Sequence, residues 1–436
     1  MMLLTAVLLF AACTDADEAS DALVSDPQVV DFGAYVNRGT TRGGSSGELS
    51  TDNMKASTSN GFGVFAFYTH EAPYNQMALP NFMYNQQVTY NSSSSEWTYS
   101  PVKYWPNGEG DTKGLTGQSP HYITFFAYAP YVAPNTLGQV EGTGITGLTR
   151  VNEHGDPIVR YCASMKPSEA VDLCWATPHF NETKPDVATR VNFNFHHALS
   201  SLNVQIDADI DVVSHAVSSL DGHTRIYVRS VTFTGFTDKG QLNLNNTGDL
   251  PVWSKLDCDC DLTAAPYTLY DGRRDGYEGV SSTFNERPTG LNPDIVQSGL
   301  YTVSNPWNNG TYSTTPGVTN NAVNLFDVSE MTSAAGEKAA APIYVIPTND
   351  PMTVNIVYDV ETYDPKLVSQ YLGDGQTHGS TIENNITATI STIQMQAGKR
   401  YNVKLHLGMA SVKVDAEVTK WDTDNPVVVP VTVPEN

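Results

Sequence analysis

The amino-acid sequence predicts an all-β protein built from antiparallel β-sandwiches, and three observations lead to this fold class. Most apolar stretches alternate with polar residues at period two, which is typical of half-buried strands. Helical periodicity is scarce, and only residues 364–372 have room for a turn or two of helix. Charged residues make up only 16% of the chain, so Asn, Thr, Ser, Gly and Tyr must supply most of the polar surface, a composition that favours strands and turns.

Most of the predicted strands are short runs bounded by Gly, Pro, Asn or Ser. Residues 191–195 (VNFNF) show the pattern most clearly, because every second side chain is apolar. Many short strands without helices between them predict packed antiparallel sheets. The predicted strands are residues 29–36, 63–68, 122–128, 191–195, 202–206, 225–228, 343–346, 354–358, 387–390, 401–407 and 412–416.

The length of the chain predicts more than one domain. With 436 residues and 40% hydrophobic content, it exceeds what a single hydrophobic core usually organises, and wholesale disorder is excluded. Long irregular insertions interrupt the strands, above all at residues 264–316. The predicted division is a signal peptide at 1–12, an N-terminal segment at 13–60, a first β-sandwich at 61–186, a second at 187–421 and a C-terminal tail at 422–436.

The net charge of the chain argues against one class of partner. It carries 47 acidic and 24 basic residues, a formal net charge of −23. The phosphates of nucleic acid bind to positively charged protein surfaces, so nucleic-acid binding is not expected of this acidic chain.

The N-terminus predicts export and lipidation. Residues 1–12 form an apolar run that is too short to span a bilayer and fits the core of a signal peptide. Ala11 and Ala12 followed by Cys13 resemble a bacterial lipobox, in which the cysteine thiol receives a diacylglycerol. A plain cleaved signal with an incidental cysteine is the alternative. We therefore expect an outer-membrane lipoprotein precursor acylated at Cys13.

The four other cysteines permit two disulfides outside the cytoplasm. A bond between Cys162 and Cys174 would close a short loop, whereas Cys258 and Cys260 are too close in sequence to bridge each other comfortably. Aspartates flank that second pair, yet no paired histidine or second Cys-x-x-Cys supports zinc, so a solvated acidic loop is the favoured interpretation. The pairing of Cys258 and Cys260 stays open.

Catalytic motifs give no positive support for an enzyme. No H-E-x-x-H or P-loop pattern occurs. His196 and His197 are adjacent on a predicted strand, so their side chains point to opposite faces and cannot jointly hold one metal. We therefore expect a non-catalytic protein with no cofactor and no metal.

Two segments flank the predicted sandwiches. Residues 37–60 are polar and rich in Gly, Ser and Thr, and they carry Arg38 and Arg42 in a protease-accessible context. Residues 427–433 (VVVPVTV) form a β-prone tail beyond the last clear domain strand.

Four signatures in sequential order resemble the fimbrillin family of Bacteroidales fimbrial subunits, and together they cover most of the mature chain. They are residues 97–106 with 123–130, residues 191–200, residues 343–347 with 354–358, and residues 398–421. The resemblance implies two tandem transthyretin-like β-sandwiches on a lipidated precursor. It also implies a surface protease that cuts after an arginine and removes the first strand, so that a neighbouring subunit can donate a strand into the opened groove.

Each part of that mechanism has a candidate in this chain. The removable strand is residues 29–36, with Phe32, Ala34 and Val36 on one face, and the cut follows Arg38 or Arg42. The candidate donor is the tail, with Val427, Val429, Val431 and Val433 on one face. Pro430 removes an amide donor, so an internal edge strand is the alternative for the tail. The implied partners are neighbouring subunits of a cell-surface fimbrium, an Arg-specific surface protease and the outer membrane.

A surface lipoprotein that binds a host glycan or protein is the rival function. Trp97, Tyr99, Tyr104 and Trp105 would form its aromatic platform. Alternating aromatic residues in strands more often fill a sandwich core, so we expect these four to be core residues.

Overall fold

A computed structural model describes residues 28–36, 49–106, 120–133, 142–164, 169–208, 224–257, 260–264, 266–271, 323–324, 342–368, 377–407, 412–420 and 426–429. The fold is all-β, as the sequence predicts. The helix α1, Thr51–Lys55, is a single short turn. The side-chain oxygen of its N-cap residue, Ser50, accepts a hydrogen bond from the backbone N–H of Asn53. Its Met54 is buried and anchors it to the first sheet. No helix of the described residues is long and apolar enough to cross a membrane.

The strands of the N-terminal half are β1 (Asp31–Val36), β2 (Phe62–His70), β3 (Met83–Asn91), β4 (Glu96–Thr98), β5 (Tyr122–Ala129), β6 (Gly144–Leu148), β7 (Ile158–Cys162), β8 (Cys174–Ala176), β9 (His179–Glu182) and β10 (Arg190–His197).

Those of the C-terminal half are β11 (Ser200–Ala208), β12 (Thr224–Thr234), β13 (Phe236–Thr237), β14 (Lys239–Asn243), β15 (Val252–Ser254), β16 (Tyr267–Asp271), β17 (Val323–Asn324), β18 (Ile343–Pro347), β19 (Pro351–Val368), β20 (Thr377–Gln394), β21 (Lys399–Leu407), β22 (Val412–Lys420) and β23 (Pro426–Val429).

The first sheet has eight strands in the order β1-β10-β8-β5-β2-β3-β4, with β9 paired to β5. Its two central strands are buried on both faces. The buried side chains form two hydrophobic clusters, a larger and a smaller one. Along β2, Phe65 and Phe67 belong to the larger cluster, whereas the alternate residues Val64 and Ala66 belong to the smaller one. This alternation follows from the period of two along a strand. The smaller cluster, here called the first-sheet core, is enclosed by the first sheet itself together with α1 and segments that flank its strands.

Hydrogen bonding crosses the predicted boundary at residue 187. β10 pairs with β1 and β8, so it belongs to the first sheet although it was expected in the second sandwich. A four-stranded sheet, β15-β14-β7-β6, also joins strands from both sides of that boundary. The remaining sheets are β13-β18-β11-β21-β22-β23, with β17 on β11, and β16-β12-β19-β20. The division into two domains stays a prediction.

The predicted disulfide between Cys162 and Cys174 is wrong, because neither cysteine is disulfide-bonded. Cys162 lies on β7, in the four-stranded sheet β15-β14-β7-β6. Cys174 lies on β8 of the first sheet, and its side chain is fully buried. The two cysteines are close in sequence, but their strands belong to different sheets. Cys260 is disulfide-bonded, a state that the sequence left open.

Candidate functional site: a groove filled by the first strand

β1 lies at the end of the first sheet, and the segment that contains it, residues 28–36, has backbone neighbours on one side along β1 and on the other side just before β1. On one side it runs parallel to β10 through six residue pairs, from Asp31↔Arg190 to Val36↔Phe195. On the other side the residues just before β1 meet residues 103–105: the Val30 amide donates to the Lys103 carbonyl at 2.9 Å, and the Trp105 amide donates to the Gln28 carbonyl at 2.9 Å. Residues 28–36 therefore occupy a groove with two backbone rims.

The floor of this groove is aromatic. The Phe32 ring is fully buried, and its centroid lies 5.3 Å from Tyr99, 5.9 Å from Phe125 and 5.7 Å from Phe193. Such tilted and edge-on contacts add to the free energy gained from burying the ring. Phe32 is thus the deepest anchor of β1.

The predicted inward face of the strand agrees with the structure. Phe32 and Val36 are buried and Ala34 is half-buried against the first-sheet core, whereas Tyr35 between them is 45% exposed. Val30 is fully buried on the same face and was not among the predicted groove residues. The period-two pattern that selected Phe32 could have found it, two residues earlier.

Gly33 lets β1 approach β10 closely. A Cβ added at this position would lie 2.0 Å from the Asn192 Oδ1 atom on the facing strand. Any larger residue must displace that amide, so this glycine serves close packing between the strands.

Polar groups hold the start of the strand from the outside. Arg190 contacts the carboxylates of Asp31 at 2.7 Å and Glu96 at 3.2 Å, with all three side chains substantially exposed. Exposed pairs of this kind stabilise a fold only slightly. The Tyr99 hydroxyl donates to the Val30 carbonyl at 2.6 Å, and burial raises the pKa of Tyr99 to about 12. Tyr99 therefore stays protonated and keeps this bond at physiological pH.

The segment that carries the predicted cleavage sites is held at both of its described ends. The Val36 amide donates to the Thr51 Oγ1 atom at 2.9 Å, and the Leu49 amide donates to the Asp172 Oδ2 atom at 2.8 Å. Arg38 and Arg42 lie between these two points, outside the described residues, as does Cys13.

The predicted donor segment is described only in part. β23 pairs antiparallel with β22 through Ala416↔Val429, Glu417↔Val428, Val418↔Val427 and Thr419↔Pro426. It is the edge strand of its own sheet, which agrees with the alternative interpretation of the tail. Val431 and Val433 lie outside the described residues.

The aromatic residues of the rival glycan platform do not form an exposed surface together. Trp97 and Trp105 are buried in the first-sheet core and Tyr99 is half-buried, so only Tyr104 is largely exposed, at 49%. The prediction that these residues belong to the core is confirmed for the two tryptophans.

An open polar cavity of about 590 Å³ lies elsewhere, lined by Gln76, His154, Asp156, Arg160, Asn243 and other residues. Its central carboxylate is already engaged. Asp156 accepts hydrogen bonds from the Tyr74 hydroxyl, the Gln76 amide and two asparagine amides. Both of its oxygens are therefore in use, and the cavity offers a ligand no free acceptor there.

Comparison with known proteins shows a family likeness over part of the chain. Residues 50–263 match the fimbrillin-like family model. A fimbrium subunit, Fim1C of Phocaeicola vulgatus, is 26% identical over 286 residues, which is 62% of this chain and 65% of that protein. Over residues 50–263 the chain is similar to the fimbrillin family. The part of it that matches Fim1C thus spans slightly less than two thirds of that relative.

Several solved structures are similar to this chain at low sequence identity. A fimbrial assembly protein from Parabacteroides distasonis is 6% identical, with 93% of this chain and 100% of that chain covered and a TM-score of 0.29. A candidate cell adhesion protein from Bacteroides uniformis is 14% identical, with 91% and 99% covered and a TM-score of 0.37. These scores are too low to assign the fold, which rests on the strands described above.

Proposed function

We propose that this protein is a structural subunit of a cell-surface fimbrium, assembled by replacement of β1 with a strand from a neighbouring subunit. The observation that carries the proposal is the position of β1. It lies at the end of the first sheet, its inward side chains fill an aromatic groove, and it precedes the segment with Arg38 and Arg42. The similarity to a fimbrium subunit supports the same function.

Removing β1 creates a strong acceptor. Val30, Phe32 and Val36 are almost wholly buried, and each such side chain contributes roughly 1.5–3 kcal/mol by leaving water. An empty groove would expose the apolar floor beneath them together with the unpaired edge of β10. An incoming strand satisfies both, with backbone bonds giving affinity and alternate side chains giving register.

A cut after Arg38 or Arg42 would separate β1 from the rest of the chain. The new terminus would then lie near Leu49, which stays bound through its amide to Asp172, and β1 would be held only by non-covalent contacts. The lipid on Cys13 would leave with β1, so the acyl anchor would serve delivery to the outer membrane and be absent from the mature subunit.

The tail supplies the donor in this proposal. Four residue pairs join β23 to β22, so the donor must first leave the edge of its own sheet. β23 is short and ends at Val429. Pro430 follows it in the sequence, and proline suits an edge better than a central strand. In the exchange, the donor strand loses these four pairs with β22 and gains a longer set of pairs with β10, together with burial in the aromatic groove.

Substitution of both arginines tests maturation. A variant with Arg38→Ala and Arg42→Ala should keep β1, retain its acylated N-terminus at the surface and form no ladder of subunits on native gels. Arg150→Ala, which changes an exposed arginine in a turn, is the matched control and should mature normally.

N-terminal sequencing of surface material gives the decisive readout. Residue 39 or residue 43 is expected as the first residue of the unmodified protein. Surface material of the unmodified protein that keeps acylated Cys13 and shows no cut after Arg38 or Arg42 would contradict the proposal and favour a monomeric surface lipoprotein.

A further inference from the structure

Three side chains that could hold a metal converge within the first sheet. Asp172, Cys174 and His197 are all buried, and their candidate ligand atoms lie within 4.8 Å of one another. The His197 Nδ1 atom is 2.9 Å from the Asp172 Oδ2 atom and 3.5 Å from the Cys174 Sγ atom. We propose that this cluster is a binding site for Zn²⁺ or a chemically similar divalent transition metal.

Local geometry brings the three residues together. Asp172 and Cys174 are two residues apart on and before β8, so their side chains can point the same way. β10 is the neighbour of β8, and the pair His197↔Cys174 is directly opposite in the register. His196 points away, where its ring lies 5.2 Å from Trp175.

The His197 Nδ1 atom lies within hydrogen-bond distance of two different groups, the Asp172 carboxylate and the Cys174 thiol. If His197 Nδ1 carries a proton, it donates that proton to Asp172; if it is bare, it can accept the thiol proton of Cys174. One nitrogen cannot do both. The Asp172 Oδ1 atom is also buried, and none of the described groups forms a hydrogen bond with it. Burying a carboxylate that is only partly paired is costly.

A metal ion resolves this conflict. It takes the lone pair of neutral His197, the Cys174 thiolate and an oxygen of Asp172, and its two positive charges balance the two negative ones. The ligand set selects the metal, because Ca²⁺ and Mg²⁺ prefer oxygen ligands whereas thiolate and imidazole suit Zn²⁺.

The observed spacing is close to what zinc needs. Usual Zn–S, Zn–N and Zn–O lengths in a tetrahedron place sulfur about 3.6 Å from nitrogen and nitrogen about 3.3 Å from oxygen. The observed sulfur–nitrogen distance of 3.5 Å and nitrogen–oxygen distance of 2.9 Å each require a shift of a few tenths of an ångström at most. The sulfur and oxygen atoms, which lie within 4.8 Å of each other, must come to about 3.6 Å. The described residues supply three of four ligands, so affinity should be below that of a complete structural zinc site.

Catalysis by the same residues is disfavoured. In a cysteine–histidine–aspartate relay, the thiol and the carboxylate contact different ring nitrogens. Here both contact Nδ1, and the thiol is fully buried. A structural role for the metal, fixing β8 to β10 and through Asp172 to Leu49, fits the geometry.

Cobalt binding to the full chain tests the site. After removal of metals with a chelator, the unmodified protein should bind one equivalent of Co²⁺ and show thiolate-to-cobalt charge-transfer absorption. Cys174→Ser should lose that absorption, and Cys162→Ser, which changes a cysteine outside the cluster, should keep it. His197→Gln should weaken binding by more than about 100-fold, because even outer-shell changes cost up to about that factor.

Two outcomes overturn the proposal: no charge-transfer band in the folded unmodified protein, or an equal band in Cys174→Ser. Circular dichroism confirms that each variant is folded. Should Cys174→Ser fail to fold, X-ray absorption at the zinc edge of the unmodified and Cys162→Ser proteins decides. One sulfur ligand in both supports the site, and none in either overturns it. Neither readout depends on cleavage or polymerisation.

Discussion

At the scale of single residues, β1 is held mainly by what it buries. Phe32 contacts three aromatic rings, whereas the ion pairs around Arg190 are exposed and contribute little. Burial of apolar side chains therefore decides whether β1 stays in its groove.

We expect Phe32→Ala to lower the free energy of unfolding of the uncleaved first sheet by about 3–5 kcal/mol, because it removes a large buried ring and leaves a cavity. Tyr35→Ala on the exposed face of the same strand should cost less than about 1 kcal/mol. Chemical denaturation measures both, and amide hydrogen exchange should locate the loss in β1 and β10. Equal effects of the two substitutions would show that the aromatic floor is not the anchor.

At the scale of elements, β1 is the strand at one end of the first sheet, and the proposed exchange requires it to be separable. It pairs with β10 along its whole length, and residues 37–48 join it covalently to the described residues that follow. A strand with this connectivity can be replaced by another chain without rearranging the remaining strands.

A chain cleaved with an Arg-specific protease and freed of β1 in denaturant should bind a synthetic peptide of residues 28–36 after refolding. The Phe32→Ala peptide should bind roughly 100-fold or more weakly, which is the same 3–5 kcal/mol expressed as affinity. The Tyr35→Ala peptide is the control and should bind within about tenfold of the parent. Fluorescence anisotropy of labelled peptides gives these affinities, and indifference to Phe32 would rule out the groove as acceptor.

At the scale of the whole molecule, the acceptor groove and the candidate donor lie in different sheets. β1 belongs to the first sheet and β23 to the sheet that contains β21 and β22. A contact between unlike surfaces of identical subunits is heterologous and extends into an open filament when its rotation does not close. This arrangement suits a polymer.

Deleting residues 427–436 should leave a folded subunit that accepts a donor strand but cannot donate one. Mixed with cleaved unmodified protein, it should cap growing polymers and shorten them in proportion to its share. Negative-stain microscopy and native gels follow the length distribution. Normal polymers from the deletion alone would refute the donor assignment and leave β23 as a plain edge strand.

Much of the fold was readable from local pattern. The alternation in residues 29–36 placed Phe32 and Val36 inward, and the same rule separated His196 from His197. Cysteine pairing was not readable, because Cys162 and Cys174 are close in sequence but lie on strands of different sheets. The i, i+2 spacing of Asp172 and Cys174 was a usable signal, but their partner His197 comes from another strand.

The sequence by itself determined that this chain is all-β, which side chains of β1 face inward and where arginines follow it, because these properties depend on the period of a strand and on local composition. Only the tertiary structure decided that β10 lies beside β1 and that β23 is the edge strand of its own sheet. It also decided that an aspartate, a cysteine and a histidine meet in the core. Those facts depend on which strands pair, and pairing is set by packing among residues far apart in the chain.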